Sequence, residues 1–508
     1  MNETYEELRA RLAEIHDLRM SRSILSWDQH TKMPPKGGEI RAEQLGTLDR
    51  LSHELFISDE IGRLLEKLRP YEEGLDRDTD EASLIRVTRR DYEKAKRVTP
   101  ELRAELTRAG AMALPAWIEA REKSDFSIFL PYLKRNIELQ HEYVACFEDY
   151  GSAYDVLLDD FDEGMKTSEV QEIFDALKRE LIPFIAEIGE RADRVDDSCM
   201  HGHFPIDAQR SFALEVLERL GFDRESWRLD PTVHPFAMSA ALTDIRLTTR
   251  YDESDLNSLF AAIHEFGHGF YEAGADPALE RTPLSQVNSM GLHESQSRMW
   301  ENLVGRGLPF WRFFYPRLQA TFPDRFGSVE LDEYYRAINK VAPSLIRIEA
   351  DEATYNLHII LRFELEQEIL EGDLAVEELP EAWNARMAEY LGVDVPDDAH
   401  GVLQDVHWSG GAIGYFPTYS LGNVISVQLW EHMRAENPDL DAQFEQGDFG
   451  QLSAWLRENL HRHGRKYTSK EMLERITGGP IDPGPYLRYL RAKLGEIYGL
   501  PVEAGAAV

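Results

Sequence analysis

Two histidines stand four residues apart in the stretch NSLFAAIHEFGHGFYEAG, residues 257 to 274, with a glutamate directly after the first. On a helix, residues four apart share a face, so His264 and His268 can both turn an imidazole towards one tetrahedral metal ion. Glu265 lies about 100° round the helix from His264. From there its carboxylate can reach a metal-activated water without being a ligand, taking a proton as the water attacks a carbonyl and passing it to the leaving amine. Two packed histidines on a buried core helix would carry the same five residues, so other parts of the chain must decide.

A catalytic metal site needs a third protein ligand and an open fourth position. The next segment, SMGLHESQSRMWENLVGRG, repeats apolar residues at helical spacing (Met290, Leu292, Met299, Trp300 and Leu303) and offers Glu294. Glu301 on the same segment and Glu272 and Glu280 nearer the first helix are rivals. A ligand from a second helix closes a tetrahedron more easily than one from the first, which favours Glu294. Adjacent His293 should point elsewhere, in a packing or supporting role.

The elements that hold these groups are mainly helical. Asp252 and Ser254 are good N-cap types ahead of the histidine stretch, and Leu256, Leu259, Phe260, Ile263 and Phe270 recur at helical spacing. The N-terminal stretch places Tyr5, Leu8, Leu12, Ile15 and Leu18 on one stripe. The same period predicts helices in VQEIFDALKRELIPFIAEIGERA, in DAQRSFALEVLERLGF with Gly221 as its stop, in LHIILRFELEQEILEGD and in PYLRYLRAKLGEIYGL. Strand signals are few. ALTDIRLTTRYD, with Leu242, Ile245 and Leu247 among threonines, predicts a short strand or hairpin feeding the histidine helix. KMPPKGGE and TGGPIDPGP are loops. No linker, repeat or low-complexity tract divides the 508 residues. The expected fold is one mainly α unit over 1–508 with a small β-sheet beside the histidine helix, and two lobes as a variant.

Net charge is −36, from 92 acidic and 56 basic residues. Such a surface repels phosphate backbones and anionic lipid, which argues against nucleic-acid and membrane partners and favours solubility. Cys146 and Cys199 are the only cysteines, so no disulfide framework is indicated, although one bridge could form. The charged start has no apolar signal region, and no apolar run is long enough to span a bilayer. A reducing cytoplasm is the expected setting.

HEFGH followed by HESQS resembles the carboxypeptidase Taq family of metallocarboxypeptidases. Further blocks resemble its pattern in order: WDQHTKMPPKGGEIRAEQLGTL near the start, HPF at 234 to 236, DIRLT at 244 to 248, IRIEADEATYNLHI, and GVLQDVHWSGGAIGYFPTYSLGN. His30 and Lys32 depart from the first block. The resemblance implies a helical fold with a deep central groove, akin to the neurolysin and angiotensin-converting enzyme peptidases. It also implies one divalent metal per chain (zinc first, cobalt second), release of single C-terminal residues with broad preference, and a homodimer. Carried over by position, His264, His268 and Glu294 match the metal ligands and Glu265 the general base.

An exopeptidase of this kind must also hold the substrate's terminal carboxylate, which suits the planar fork of arginine. Arg347, in an apolar setting within a matching block, is the first candidate, with a structural ion pair to Glu349 or Asp351 as its other reading. Arg246 is the second, with an internal pair to Asp244 as its alternative. The tetrahedral oxyanion needs donors as well. The resemblance transfers that role to His407 and to Tyr415 or Tyr419 in the glycine-rich loop, and the sequence does not choose between the tyrosines. Asp405 could orient a histidine or cap a turn. The DIRLT strand could pair with an extended peptide or simply close the sheet. Two other functions fit less well. One is a zinc oligopeptidase cutting inside short peptides, which differs only in lacking the carboxylate pocket. The other is a catalytically silent helical binding protein, against which the intact Glu265 argues.

Overall fold

The computed structural model describes residues 2–287 and 289–501, and the chain is mainly helical. Helices form where apolar residues recur three and four apart. Helix Thr167–Gly189 buries Val170, Ile173, Phe174, Leu177, Leu181, Phe184, Ile185 and Ile188 on one side. Helix Ile206–Leu220 ends at Gly221, whose φ of 121° is open only to a residue without a Cβ. The first helix, Asn2–Thr31, buries Tyr5, Leu8, Leu12 and Ile15, while Leu18 is half-buried. Helices Tyr355–Glu371 and Gly484–Tyr498 also lie where the period places them.

Three short strands form one sheet in the order β1 (Trp227–Pro231), β3 (Asp244–Thr249), β2 (Ala237–Ala241). The β2–β3 hairpin is antiparallel and sits at the expected place. Strand β1 pairs in parallel with β3, Trp227 opposite Ile245 and Pro231 opposite Thr249. WRLDP is too short and polar for a periodicity signal, and its partner lies across the hairpin. In β3, Ile245 and Leu247 are fully buried. They face Gly269 of the histidine helix, where a Cβ would come within 2.7 Å of Ile245 and 3.0 Å of Leu247. The sheet therefore packs directly on the helix that carries the two histidines.

The largest apolar cluster runs from Ala113 to Leu500 and contains the residues around the histidine helix. A second cluster joins Tyr5, Leu8, Leu12 and Ile15 to Leu64, Leu65, Leu68, Leu84 and Ile85, closed by Leu279 and Leu284. Both cysteines are free. Among the described residues no helix is long and apolar enough to cross a membrane.

Candidate metal centre and substrate site

The histidine helix is Asn257–Ala273. It begins later than the cap residues suggest. Asp252 Oδ1 accepts the Ser254 amide and hydroxyl in a turn, and no side chain caps the helix itself. One face carries Ile263, Phe266 and Phe270, none more than 2% exposed, and anchors the helix in the core. Gly267, inside HEFGH, allows the next helix to come close. A Cβ there would lie 2.6 Å from the Gln296 carbonyl oxygen and from Ser297 Cα.

That next helix is Met290–Arg298, with Ser289 capping it through the Leu292 amide. It brings Glu294 to the histidines: Oε2 lies 3.7 Å from His264 Nε2 and 3.4 Å from His268 Nε2. His264, His268 and Glu294 each offer one ligand atom, all within 4.8 Å of one another. Both imidazoles are oriented from behind. His264 Nδ1–H donates to Glu301 Oε2 at 2.9 Å, and His268 Nδ1–H donates to the His293 carbonyl at 3.1 Å. This tautomer leaves both Nε2 lone pairs turned towards Glu294, and a metal-binding histidine needs that arrangement. The donor set, two imidazoles and a carboxylate with second-layer acceptors, fits a divalent metal of the zinc type.

The rivals of Glu294 have other partners. Glu301 stands behind His264. It lies on a wide π-helical turn, Met299–Val304, which continues the glutamate helix and which the helical period did not reveal. Glu272 accepts from His293 Nε2–H at 3.0 Å, and Glu280 accepts the Leu242 amide. His293 stacks on His268 with ring centres 4.1 Å apart, so its supporting role is packing plus the carbonyl that His268 uses.

The charges around the ligands follow from burial and neighbours. Burial alone would raise Glu294, but Arg298 and the two histidines hold it well below the usual carboxylate range. Arg298 Nε–H donates to Glu294 Oε1 at 2.6 Å. Burial lowers His268 to about 3, so it is neutral and able to coordinate. For Glu265 only His264 opposes burial, and the neighbouring carboxylates add to it. It is 6% exposed, and burial pushes its carboxyl up to about 7, in the range suited to a group that takes and returns a proton near neutrality.

Arg347 lies in a buried aromatic pocket. Its Nε and Nη2 donate to Asp405 Oδ1 at 3.0 and 2.8 Å, and its Nη1 donates to the Tyr355 hydroxyl at 2.9 Å. Its ion pair is therefore with Asp405 rather than with its sequence neighbours. Glu349 is exposed, and Asp351 accepts the amides of Ala342, Ala353 and Thr354. Tyr355 links this pocket to the metal group, because Arg298 lies 4.4 Å over its ring. Asp405 does not orient His407, whose Nδ1 is 3.9 Å away, beyond a hydrogen bond. His407 Nε2 meets the Tyr419 hydroxyl at 3.3 Å, its ring stacks on Tyr415, and the two tyrosine rings meet edge to face at 5.1 Å. Burial lowers His407 to about 4.

Arg246 is committed elsewhere. It holds Asp244 with two bonds of 2.9 Å, and its guanidinium lies 4.5 Å over Trp27. Arg228 covers the same ring at 4.7 Å. The N-terminal WDQ block thus packs on the sheet, and Lys32 pairs with Asp230 at 2.8 Å. Two buried neighbours of these candidate residues escaped the sequence reading. Arg362 donates to Asp405 Oδ2 at 2.7 Å. Glu366 accepts from the Tyr154 hydroxyl, the Trp408 indole and the Gly414 amide, fixing both ends of the loop between His407 and Tyr415. Both sit in LHIILRFELEQEILEGD, where several charges lie among apolar residues and nothing in the sequence marks these two as the buried ones.

Residues 7–494 match the family model described as carboxypeptidase Taq (M32) metallopeptidase. Thermostable carboxypeptidase 1 of Thermus thermophilus is 42% identical over 487 residues, covering 94% of this chain and 95% of that one. Carboxypeptidase 1 of Bacillus subtilis is 38% identical, covering 94% and 95%. The crystal structure of an M32 carboxypeptidase from Deinococcus radiodurans superposes with a TM-score of 0.95 at 40% identity, covering 98% of this chain and all of that one. The chain belongs to the carboxypeptidase Taq (M32) family of metallopeptidases and is a metallocarboxypeptidase.

Proposed function

We propose that the protein removes single residues from the C-termini of peptides, with broad side-chain preference, and that His264, His268 and Glu294 hold one divalent metal. A metal bound there supplies a Lewis acid for the scissile carbonyl. Zinc suits the nitrogen-rich donor set, with cobalt as the alternative. Glu265 takes the proton of the attacking water and delivers it to the departing amine. His407 with Tyr415 and Tyr419 presents the hydrogen-bond donors for the developing oxyanion. The DIRLT strand, β3, is paired on both sides and closes the sheet, so the edge along which an extended peptide can lie is strand β2, whose five residues are all part-exposed.

The observation that carries the exopeptidase reading is Arg347. Three of its five N–H donors are used, and it is joined through Tyr355 to the arginine that holds Glu294. It would pair with the terminal carboxylate. Arg246, with its fork closed on Asp244, is the lesser candidate. The proposal places the enzyme in the cytoplasm as a homodimer, which sedimentation can check.

The test is the product series from an N-terminally blocked peptide, followed by mass spectrometry with zinc or cobalt supplied. A ladder shortened one residue at a time from the C-terminus is expected. Internal fragments would instead mean an oligopeptidase, and an intact peptide would mean a silent binding protein.

A further inference from the structure

Behind Arg347 lies a second, wholly buried arginine that the steps above do not use. Arg362 is 0% exposed on helix Tyr355–Glu371. Its Nε–H donates to Asp405 Oδ2 at 2.7 Å, while Arg347 holds Asp405 Oδ1. Its guanidinium lies 4.4 Å from the Trp383 ring centre and 5.4 Å from that of Phe416, and Nη1 donates to the His358 carbonyl. One carboxylate is thus divided between two guanidinium groups.

The charge count has a consequence. A lone Arg347–Asp405 pair would be neutral, and an arriving carboxylate would compete with Asp405 for a cation already satisfied. With Arg362 drawing on the second oxygen, the buried trio keeps a net charge of one positive. The nearby histidines do not alter this count, because burial keeps His407 and His358 neutral. Glu366 lies one turn beyond Arg362, but its oxygens are taken by three neutral donors and burial raises it to about 7. Burial makes it a weaker counter-ion than Asp405, which both arginines touch directly. An unbalanced buried charge is costly, and a ligand carrying one negative charge relieves that cost.

We propose that Arg362 is a positioning residue for substrate recognition: by sharing Asp405 it preserves a surplus positive charge at Arg347, which is matched by the α-carboxylate of a peptide. This rests on Arg347 being the carboxylate anchor. At an effective dielectric of about 20, one unit charge several ångströms from the bound carboxylate changes its affinity on the order of tenfold or more.

The experiment compares, at pH 6, the KM of a blocked dipeptide acid with the inhibition constant of the same dipeptide as its C-terminal amide. Arg362→Met should raise the acid's KM about tenfold or more and leave the amide within about threefold. Adding Asp405→Asn to Arg362→Met restores the net charge, and should recover most of the lost affinity for the acid. A purely structural role predicts that the second change worsens the first, and that result would overturn the proposal. So would equal losses for acid and amide. If Arg362→Met does not fold, Arg362→Lys keeps the charge and should hold the acid's KM within about threefold of wild type; a tenfold rise there refutes the charge account. Arg347→Met serves as the reference. An acid-selective loss there with none in Arg362→Met rejects Arg362 alone, and no acid-selective loss in either rejects the anchor itself.

Discussion

Gly422→Ala is the sharpest test of how the metal group is built. Gly422 lies on helix Pro417–Glu436, which packs against the helix carrying Glu294. A Cβ at this position would stand 2.5 Å from Glu294 Cγ, 2.6 Å from its Cβ and 3.0 Å from its carbonyl carbon. Ordinary contact begins at about 3.4 Å, so the elements must part by about 0.9 Å or Glu294 must move. Metal–ligand distances tolerate only about 0.2 Å. If Glu294 absorbs even a third of the displacement, about 0.3 Å, it leaves the range in which all three ligands serve one ion.

Metal affinity is expected to fall on the order of 10- to 100-fold, the scale of damage to a ligand's support. Overpacking should also cost the metal-free fold about 1–3 kcal/mol. Calorimetric or chelator-competition titration with zinc measures the first, and denaturant unfolding of the metal-free protein the second. Gly46→Ala is the control. It lies inside helix Gly38–Phe56 with nothing within 4 Å of the added Cβ, and should stabilise by about 0.5–1 kcal/mol. A Gly422→Ala protein that binds zinc within threefold of wild type and unfolds at the same denaturant concentration would refute the close-approach argument.

The remaining predictions concern the two acidic neighbours of His264. Glu265→Gln should retain metal and lose turnover in the peptide ladder assay. It should also change stability: burial raises the folded-state carboxyl from 4.5 to about 7, so the metal-free wild type loses stability as pH rises from about 4.5 to 7. Metal-free Glu265→Gln should therefore be the more stable by about 3 kcal/mol at pH 8, with the gap closing near pH 4; no gap at pH 8 would show that the carboxylate is not strained by burial. Glu301→Gln removes the carboxylate charge behind His264 Nδ1 and should weaken zinc binding about 10-fold, and, because it also leaves Arg298 and Arg306 short of a buried counter-charge, it should destabilise the metal-free fold. An unchanged dissociation constant would mean that Glu301 does not orient the ligand.

The candidate metal group was legible because its geometry is local. Four residues on one helix fix the relation of His264 to His268, and a second apolar period fixes the face bearing Glu294. Gly267 and Gly422 were visible as letters but not as contacts, since what they admit is another helix. The role of Glu301 depends on a π-turn, which leaves no trace in an α-helical period. Strand β1 was missed because five residues pairing in parallel with a distant strand give no alternation to detect.

The direction of cutting is the least local property of all. The histidine motif fixes a hydrolytic centre and is silent on which end of a peptide enters. In the proposed reading that choice rests on Arg347, whose partner Asp405 lies 58 residues further on and has its other oxygen held by Arg362. The sequence neighbours Glu349 and Asp351 looked like partners, yet the short turn Arg347–Glu349 leaves the first exposed and Asp351 occupied by backbone amides. A peptidase that must expel internal bonds and admit a chain end needs a buried cation not fully neutralised by its own fold. In the proposed reading two guanidinium groups and the one carboxylate they share, from three separate segments, meet that requirement, and none of the segments carries it alone.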